Sequence, residues 1–170
     1  MTLSQSAVKK LLFFVCALSA LVACNDVEPI PVSEAVLVSF EARFPEAQHI
    51  TWGSAGNYLV AEFYLDNGGV KEECAAWFSP TGEWQMTERE MSYSSLPAAV
   101  RISFEAGEYA TWVVDDVAKI ERLSSVEYLI VADGFYLGVP SEAYLYFTEA
   151  GSLVRGVIDP DQAYWMYLLE

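Results

Sequence analysis

Tyr58-Leu59-Val60-Ala61-Glu62-Phe63-Tyr64-Leu65-Asp66-Asn67-Gly68-Gly69-Val70-Lys71-Glu72-Glu73-Cys74-Ala75-Ala76-Trp77-Phe78 is the stretch that decides the fold. Its first eight residues alternate: Leu59, Ala61, Phe63 and Leu65 are uniformly apolar, whereas Tyr58, Val60, Glu62 and Tyr64 are mixed. Side chains of a strand point to opposite faces with period two, so the first set belongs against a core and the second on an outer face. Asp66-Asn67-Gly68-Gly69 then supplies residues that tolerate positive φ, the chemistry of a tight hairpin. Val70 to Phe78 returns as the partner strand, with Cys74, Ala76 and Phe78 inward and Glu73 and Trp77 outward.

Working outward, Ser33 to Phe44 changes period: Val36, Phe40 and Phe44 fall at i, i+4 and i+8 on one helical face. Ser33 suits an N-cap and Pro45 stops the helix. His49 to Trp52 reads as a short strand and Ser54-Ala55-Gly56-Asn57 as a turn. Ser79-Pro80-Thr81-Gly82 turns again, into a strand beginning near Trp84. The unit is one helix followed by a four-stranded antiparallel meander.

The same grammar recurs downstream. Leu96-Pro97-Ala98-Ala99-Val100 opens a second helix, in which Ser103-Phe104-Glu105-Ala106 repeats Ser39-Phe40-Glu41-Ala42 at a spacing of 64. Tyr128-Leu129-Ile130-Val131 echoes Tyr58-Leu59-Val60-Ala61 at 70, and Tyr146-Phe147-Thr148 with Gly151 echoes Trp77-Phe78-Ser79 with Gly82 at 69. The predicted architecture is therefore α+β: a tandem repeat, residues 33–92 and 95–158, each with one helix packed on its own four-stranded antiparallel sheet. Residues 159–170 follow as a C-terminal tail.

The residues Trp77, Phe78, Gly82 and Trp84, then an acidic stretch and Leu96-Pro97-x-x-Val100, resemble the PepSY-like, β-lactamase-inhibitor-like family of exported bacterial proteins. The resemblance covers nearly all of the chain after residue 24. It implies a tandem helix-and-sheet fold, a role in binding or inhibiting other extracytoplasmic proteins, and no catalytic residues. The second unit departs from the pattern: Tyr146 and Leu153 replace the tryptophans, and Asp115-Asp116 interrupts an expected strand.

The N-terminus reads as an export signal over residues 1–23. Lys9 and Lys10 precede an uncharged apolar run from Leu11 to Ala20, long enough for a signal but short for a membrane span. Leu21-Val22-Ala23-Cys24 then forms a lipobox, in which Cys24 takes the lipid and becomes the first mature residue. Residues 24–32, with Pro29 and Pro31, form a tether. The chain is expected to be exported and lipid-anchored in the bacterial envelope, reaching the membrane only through that lipid. With Cys16 removed and Cys24 acylated, Cys74 has no partner and reads as a buried, inert thiol. Without Lys9 and Lys10, 7 basic residues face 24 acidic ones, a balance of −17. Such a charge opposes binding to nucleic acid and anionic lipid heads and biases toward basic partners.

Catalytic and metal chemistry find little support. His49 is the single histidine, and no Gly-x-Ser-x-Gly elbow, zinc spacing or calcium loop accompanies it. Glu72-Glu73 and Asp115-Asp116 are adjacent on strands and so point to opposite faces. Asp159-Pro160-Asp161 reads as a turn. No catalytic residue, metal or cofactor is assigned.

Surface remains. The expected outer face presents Tyr58, Tyr64, Trp77, Tyr128, Tyr144 and Tyr146 with Glu62 and Glu73 among them. Aromatic rings dominate interface hot spots, so this face would suit a protein or peptide partner. Packing of the rings within or between the units is the structural alternative. The leading expectation is a non-catalytic module binding another envelope or secreted protein, a hydrolase inhibitor in its sharpest form. The alternatives are a carbohydrate or small-ligand binder and a structural envelope component.

Overall fold

Each helix and hairpin forms where the local chemistry asks for it. The computed structural model describes residues 30–158; the export signal, Cys24 and Asp159-Pro160-Asp161 lie outside these. Helix α1, Glu34–Arg43, starts where Val36 donates its backbone N–H to the Ser33 hydroxyl at 3.4 Å and ends at Phe44. Strands β1 (Gln48–Ala55), β2 (Tyr58–Asn67), β3 (Val70–Phe78) and β4 (Trp84–Glu90) follow. A 3-10 turn at Tyr93–Ser95 leads into α2, Ala98–Glu105. Strands β5 (Val113–Arg122), β6 (Val126–Tyr136), β7 (Val139–Thr148) and β8 (Leu153–Ile158) complete the second unit.

The β2–β3 loop is the expected two-residue hairpin. Asn67 pairs with Val70, Gly68 and Gly69 adopt φ of +65° and +90°, and the Gly69 N–H donates to Asp66 Oδ1 at 2.7 Å. Asp115-Asp116 does not interrupt its strand. The register of β5 against β6 shifts between Val114 and Asp116, and Asp116 Oδ1 accepts the Val117 N–H at 2.8 Å. A bulge absorbs the acidic pair while the ladder continues on either side.

The main correction to the sequence reading concerns the sheet. The two units do not have separate four-stranded sheets: all eight strands form one antiparallel sheet in the order β1 to β8. The join is β4 against β5, with Met86 opposite Arg122 and Glu90 opposite Ala118. Edge pairing satisfies two rows of backbone N–H and C=O groups that separate sheets would leave open.

Both helices cover the same face. Val36, Phe40 and Phe44 of the first unit bury Ala61, Phe63, Cys74, Ala76 and Phe78. Phe40 is central, with ring centroids 5.1 Å from Phe63, 5.3 Å from Trp52 and 6.1 Å from Phe78. In the second unit Val100 and Phe104 pack on Ile130, Leu145 and Phe147. Between the two helices, the helix-side positions of β4 and β5 carry charge instead of apolar bulk. Arg89 Nε lies 3.3 Å from Glu121, and Lys119 Nζ 2.7 Å from the same carboxylate.

One contact is written identically in both units. Gly82 (φ +91°) and Gly151 (φ +84°) sit in the β3–β4 and β7–β8 turns, pressed against the first turn of α1 and α2. A Cβ on Gly82 would stand 2.7 Å from the Ala35 carbonyl oxygen, and one on Gly151 2.5 Å from that of Ala99. These two glycines set how closely each helix sits on its sheet. Gly68 has a similar φ but open space around it. Gly68→Ala should therefore cost only the left-handed penalty, about 1 kcal/mol. Gly82→Ala and Gly151→Ala add a backbone clash and should each cost about 3 kcal/mol. Urea unfolding of the three variants checks this ranking, and equal costs would show that helix contact is not the constraint.

Candidate binding face

The face opposite the helices is built from alternate residues of every strand. From β1 to β4 it carries Thr51, Val60, Glu62, Ala75, Trp77 and Met86; from β5 to β8, Ala118, Ile120, Leu129, Val131, Tyr144, Tyr146 and Val157. Of the eight residues singled out from the sequence, seven lie here: Tyr58, Glu62, Tyr64, Glu73, Trp77, Tyr144 and Tyr146. The eighth, Tyr128, does not. It pairs with Phe147 and belongs to the α2 core, 6 % exposed.

The reason is a register slip of one residue. Leu59 faces Phe78 and Tyr128 faces Phe147, so the structural repeat of these strands is 69, the spacing of Gly82 and Gly151. The four-residue echo of Tyr58 in Tyr128 runs at 70. A shift of one residue exchanges the faces.

The open face divides into two zones. Its floor is a core of its own: Met86, Ile120 and Tyr146 have no exposure, Leu129 is 1 % exposed, and Trp77 and Tyr144 are 6 % exposed. The Tyr144 hydroxyl donates to Glu142. Arg155 lies over the Tyr146 ring with its guanidinium carbon 4.1 Å from the centroid. Two donors in this floor are unsatisfied. Trp77 Nε1–H and the Tyr146 hydroxyl are buried without a hydrogen-bond partner among the described residues. Burial also pushes the Tyr146 phenol well above its ordinary range.

The second zone lies where β2 and β3 run toward their hairpin, and it is half-buried and acidic. The Tyr64 hydroxyl donates to Glu73 at 3.3 Å, and the Thr51 hydroxyl to Glu62 at 3.5 Å. The Glu73 charge raises the Tyr64 phenol pKa, and burial raises the Glu62 carboxyl. A cavity of about 840 Å³ opens beside this zone, lined by Asn67, Lys71, Glu73, Glu90, Tyr93 and Asp116 among others. Among the described residues no group of three His, Cys, Asp or Glu side chains is placed to hold a metal ion.

The residues weighed for chemistry stand apart. His49 is exposed at the irregular start of β1, with φ +54°, its ring 6.1 Å from that of Tyr64. Cys74 is 1 % exposed on the opposite, helix-side face, and burial pushes its thiol up to about 11. Sequence reasoning missed the β4 and β5 contributions, Met86, Ile120 and Arg122, and also Leu129 and Arg155. Their signal was available in the alternation Met86, Glu88, Glu90 and Ala118, Ile120, Arg122, once those strands are known to be adjacent.

Comparison with known proteins places the chain in a family. Residues 58–155 match the family described as "Putative beta-lactamase-inhibitor-like, PepSY-like". The chain belongs to this family. A BLIP-like protein from Bacteroides fragilis is 30 % identical, with a TM-score of 0.69 over 82 % of this chain and 94 % of that one. A DUF2874 family protein from Bacteroides ovatus is 25 % identical, with a TM-score of 0.68 over 82 % and 94 %. A Bacteroides eggerthii protein described as periplasmic shares the fold at 22 % identity, with a TM-score of 0.69 over 80 % and 95 %. No curated protein matches the chain. Among the described residues no helix is long and apolar enough to cross a membrane.

The burial of the rings in this family member has a direct consequence for mutagenesis. Tyr146→Ala should destabilise the fold by about 3–5 kcal/mol, as removal of a large core side chain does. Tyr146→Phe removes only an unsatisfied hydroxyl and should be neutral or stabilising by about 1 kcal/mol. Chemical denaturation of the pair checks this, and a destabilising Tyr146→Phe would show that the hydroxyl has a partner.

Proposed function

We propose that this protein is a non-catalytic binding module, exported and held in the bacterial envelope by a lipid on Cys24, whose open sheet face engages another extracytoplasmic protein or peptide. The observation that carries this reading is the placement of both helices on one side of a single sheet. The other side is left as one surface of eight strands, apolar and aromatic at the floor and acidic toward the β2–β3 hairpin. Such a surface offers a desolvated centre with a polar rim, the anatomy of a protein interface. Membership of an inhibitor-like family supports the same class of role, and inhibition of an envelope or secreted hydrolase is its sharpest form.

The charge argues for the kind of partner. Glu62, Glu73 and Glu90 stand at the accessible end of a chain with a formal charge of −15. A basic loop or segment entering there would meet attraction on approach and hydrogen-bonded carboxylates on contact. Sugar recognition by stacking is less well supported, because Trp77, Tyr144 and Tyr146 present their rings inside the face and not on it.

The test must therefore use the acidic zone, since truncating Trp77 or Tyr146 would unfold the face. Affinity capture from envelope extract with the native chain should retain a specific protein. The Glu62→Gln/Glu73→Gln variant should weaken that capture at least fivefold at an unchanged melting temperature. Capture that is indifferent to both substitutions would remove the acidic zone from the interface.

A further inference from the structure

The sheet is split at one end, because β4 stops before its two neighbours do. The ladder between β3 and β4 reaches only to Cys74 opposite Arg89, and that between β4 and β5 to Glu90 opposite Ala118. Met91 then donates its backbone N–H to the Val117 carbonyl at 2.9 Å, and the chain leaves the sheet through the 3-10 turn Tyr93–Ser95. Leu96 is buried in the α2 core, so the departure is toward the helices. Beyond it β3 and β5 run on without β4. Among the described residues, Val70–Glu73 have ladder partners only in β2, and Val113, Val114 and Asp116 only in β6.

The cavity of about 840 Å³ beside the acidic zone is this split. Its lining includes both Glu72 and Glu73, and both Asp116 and Val117. Adjacent strand residues point to opposite faces, so the cavity passes through the sheet; a hollow on one face would take every second residue. Where β4 pairs with both neighbours, β3 and β5 stand two strand spacings apart, about 9–10 Å, so the slot has the width of one strand. Backbone groups also point into it. Because Met91 bonds to Val117, odd-numbered residues of β4 turn their N–H and C=O groups to β5 and even-numbered ones to β3. Met86 and Glu88 stand opposite Trp77 and Ala75, so it is the odd-numbered residues of β3 that face this way. Lys71 continues that row past the end of the β4 ladder. On the other flank the β5 bulge leaves Asp115 with no β6 residue opposite it.

We infer that the slot takes an extended segment of the partner protein, which continues the position of β4 and pairs with β3 and β5 at once. This rests on the proposed function and specifies how its partner is held. Strand addition draws affinity from main-chain hydrogen bonds and specificity from alternate side chains. Here the two sides of the slot differ. Met91, Tyr93 and Val114 stand on the helix side, packed on the α2 core. Glu73, Glu90 and Asp116 stand on the open side, in line with Trp77, Met86 and opposite Val131. The occupant is therefore a segment in which apolar residues alternate with lysine or arginine. A second copy of this chain is opposed by its formal charge of −15.

A capped heptapeptide alternating lysine and valine is a probe that needs no identified partner. Titrated into the protein at low ionic strength, where charge attraction is least screened, it should shift the backbone amides of residues 70–73, 91–93 and 113–117. It should also slow hydrogen exchange of the Lys71 amide. The same peptide N-methylated at every second residue keeps its charge and loses the donors of one edge, and it should bind at least fivefold more weakly. Shifts spread over carboxylates elsewhere, equal binding of the N-methylated peptide, or no shift would overturn strand addition. Lys71→Pro supplies a second readout, since it removes a slot-facing N–H at an edge position where proline is tolerated. It should weaken the peptide at least fivefold, whereas Lys71→Ala, which keeps the N–H and removes a repelling ammonium, should bind it at least as tightly as the native chain. Equal binding by the two variants would overturn pairing along β3; if Lys71→Pro lowers the melting temperature, the N-methylated peptide decides. Capture from envelope extract that is weakened by Glu62→Gln/Glu73→Gln but kept by a folded Lys71→Pro would overturn the slot and leave the open-face reading standing.

Discussion

Along β4 and β5 the backbone pairs from Met86 opposite Arg122 to Glu90 opposite Ala118, and the rest of the molecule is arranged around that seam. Each unit by itself would be a four-stranded sheet with one helix and two unprotected edges. Pairing β4 with β5 removes one edge from each unit and places α1 and α2 on the same side, because both units share the direction of alternation. The opposite side then becomes one surface instead of two. The charged residues between the helices follow from the same arrangement. Arg89, Lys119 and Glu121 occupy helix-side positions that neither helix covers, and there they pair with one another. Such part-exposed pairs contribute little energy, about 0–1 kcal/mol each. Their effect is to let polar side chains fill a gap that apolar ones would leave exposed.

Much of this was legible in the sequence, and the reasons are local. The alternation in Tyr58–Leu65, the Asp66-Asn67-Gly68-Gly69 turn and the Val36, Phe40, Phe44 spacing each encode one element through contacts close along the chain. The structure forms all three as read. The likeness of the turns at Gly82 and Gly151 was legible too, because each glycine is fixed by the same close approach to a helix. What failed was non-local or depended on a single-residue offset. The β4–β5 join is a choice between edges that no turn specifies. Tyr128 was assigned the wrong face because a four-residue identity at spacing 70 competed with the true spacing of 69.

The candidate face shows the same division. Period-two alternation placed seven residues on one side, but alternation says nothing of how deeply a side chain is buried. Trp77, Tyr144 and Tyr146 emerge as a core, with Met86, Ile120 and Leu129 as neighbours from strands that the sequence reading left unpaired. The accessible chemistry shifts accordingly toward Glu62, Tyr64 and Glu73, where the Glu73 charge raises the Tyr64 phenol and burial raises the Glu62 carboxyl. A binding module built this way separates two tasks. Rings give the sheet a stable second core, and under the proposed reading the carboxylates at its rim would supply attraction and selectivity.

The account stands most directly on the continuity of the sheet, and native-state hydrogen exchange measures it. If β4 and β5 join the units into one cooperative structure, the paired amides of residues 86–90 and 118–122 should open only with global unfolding, at the same free energy as those of β2, β3, β6 and β7. Exchange in which residues 33–92 and 95–158 open independently, with the seam losing protection when either half does, would contradict it.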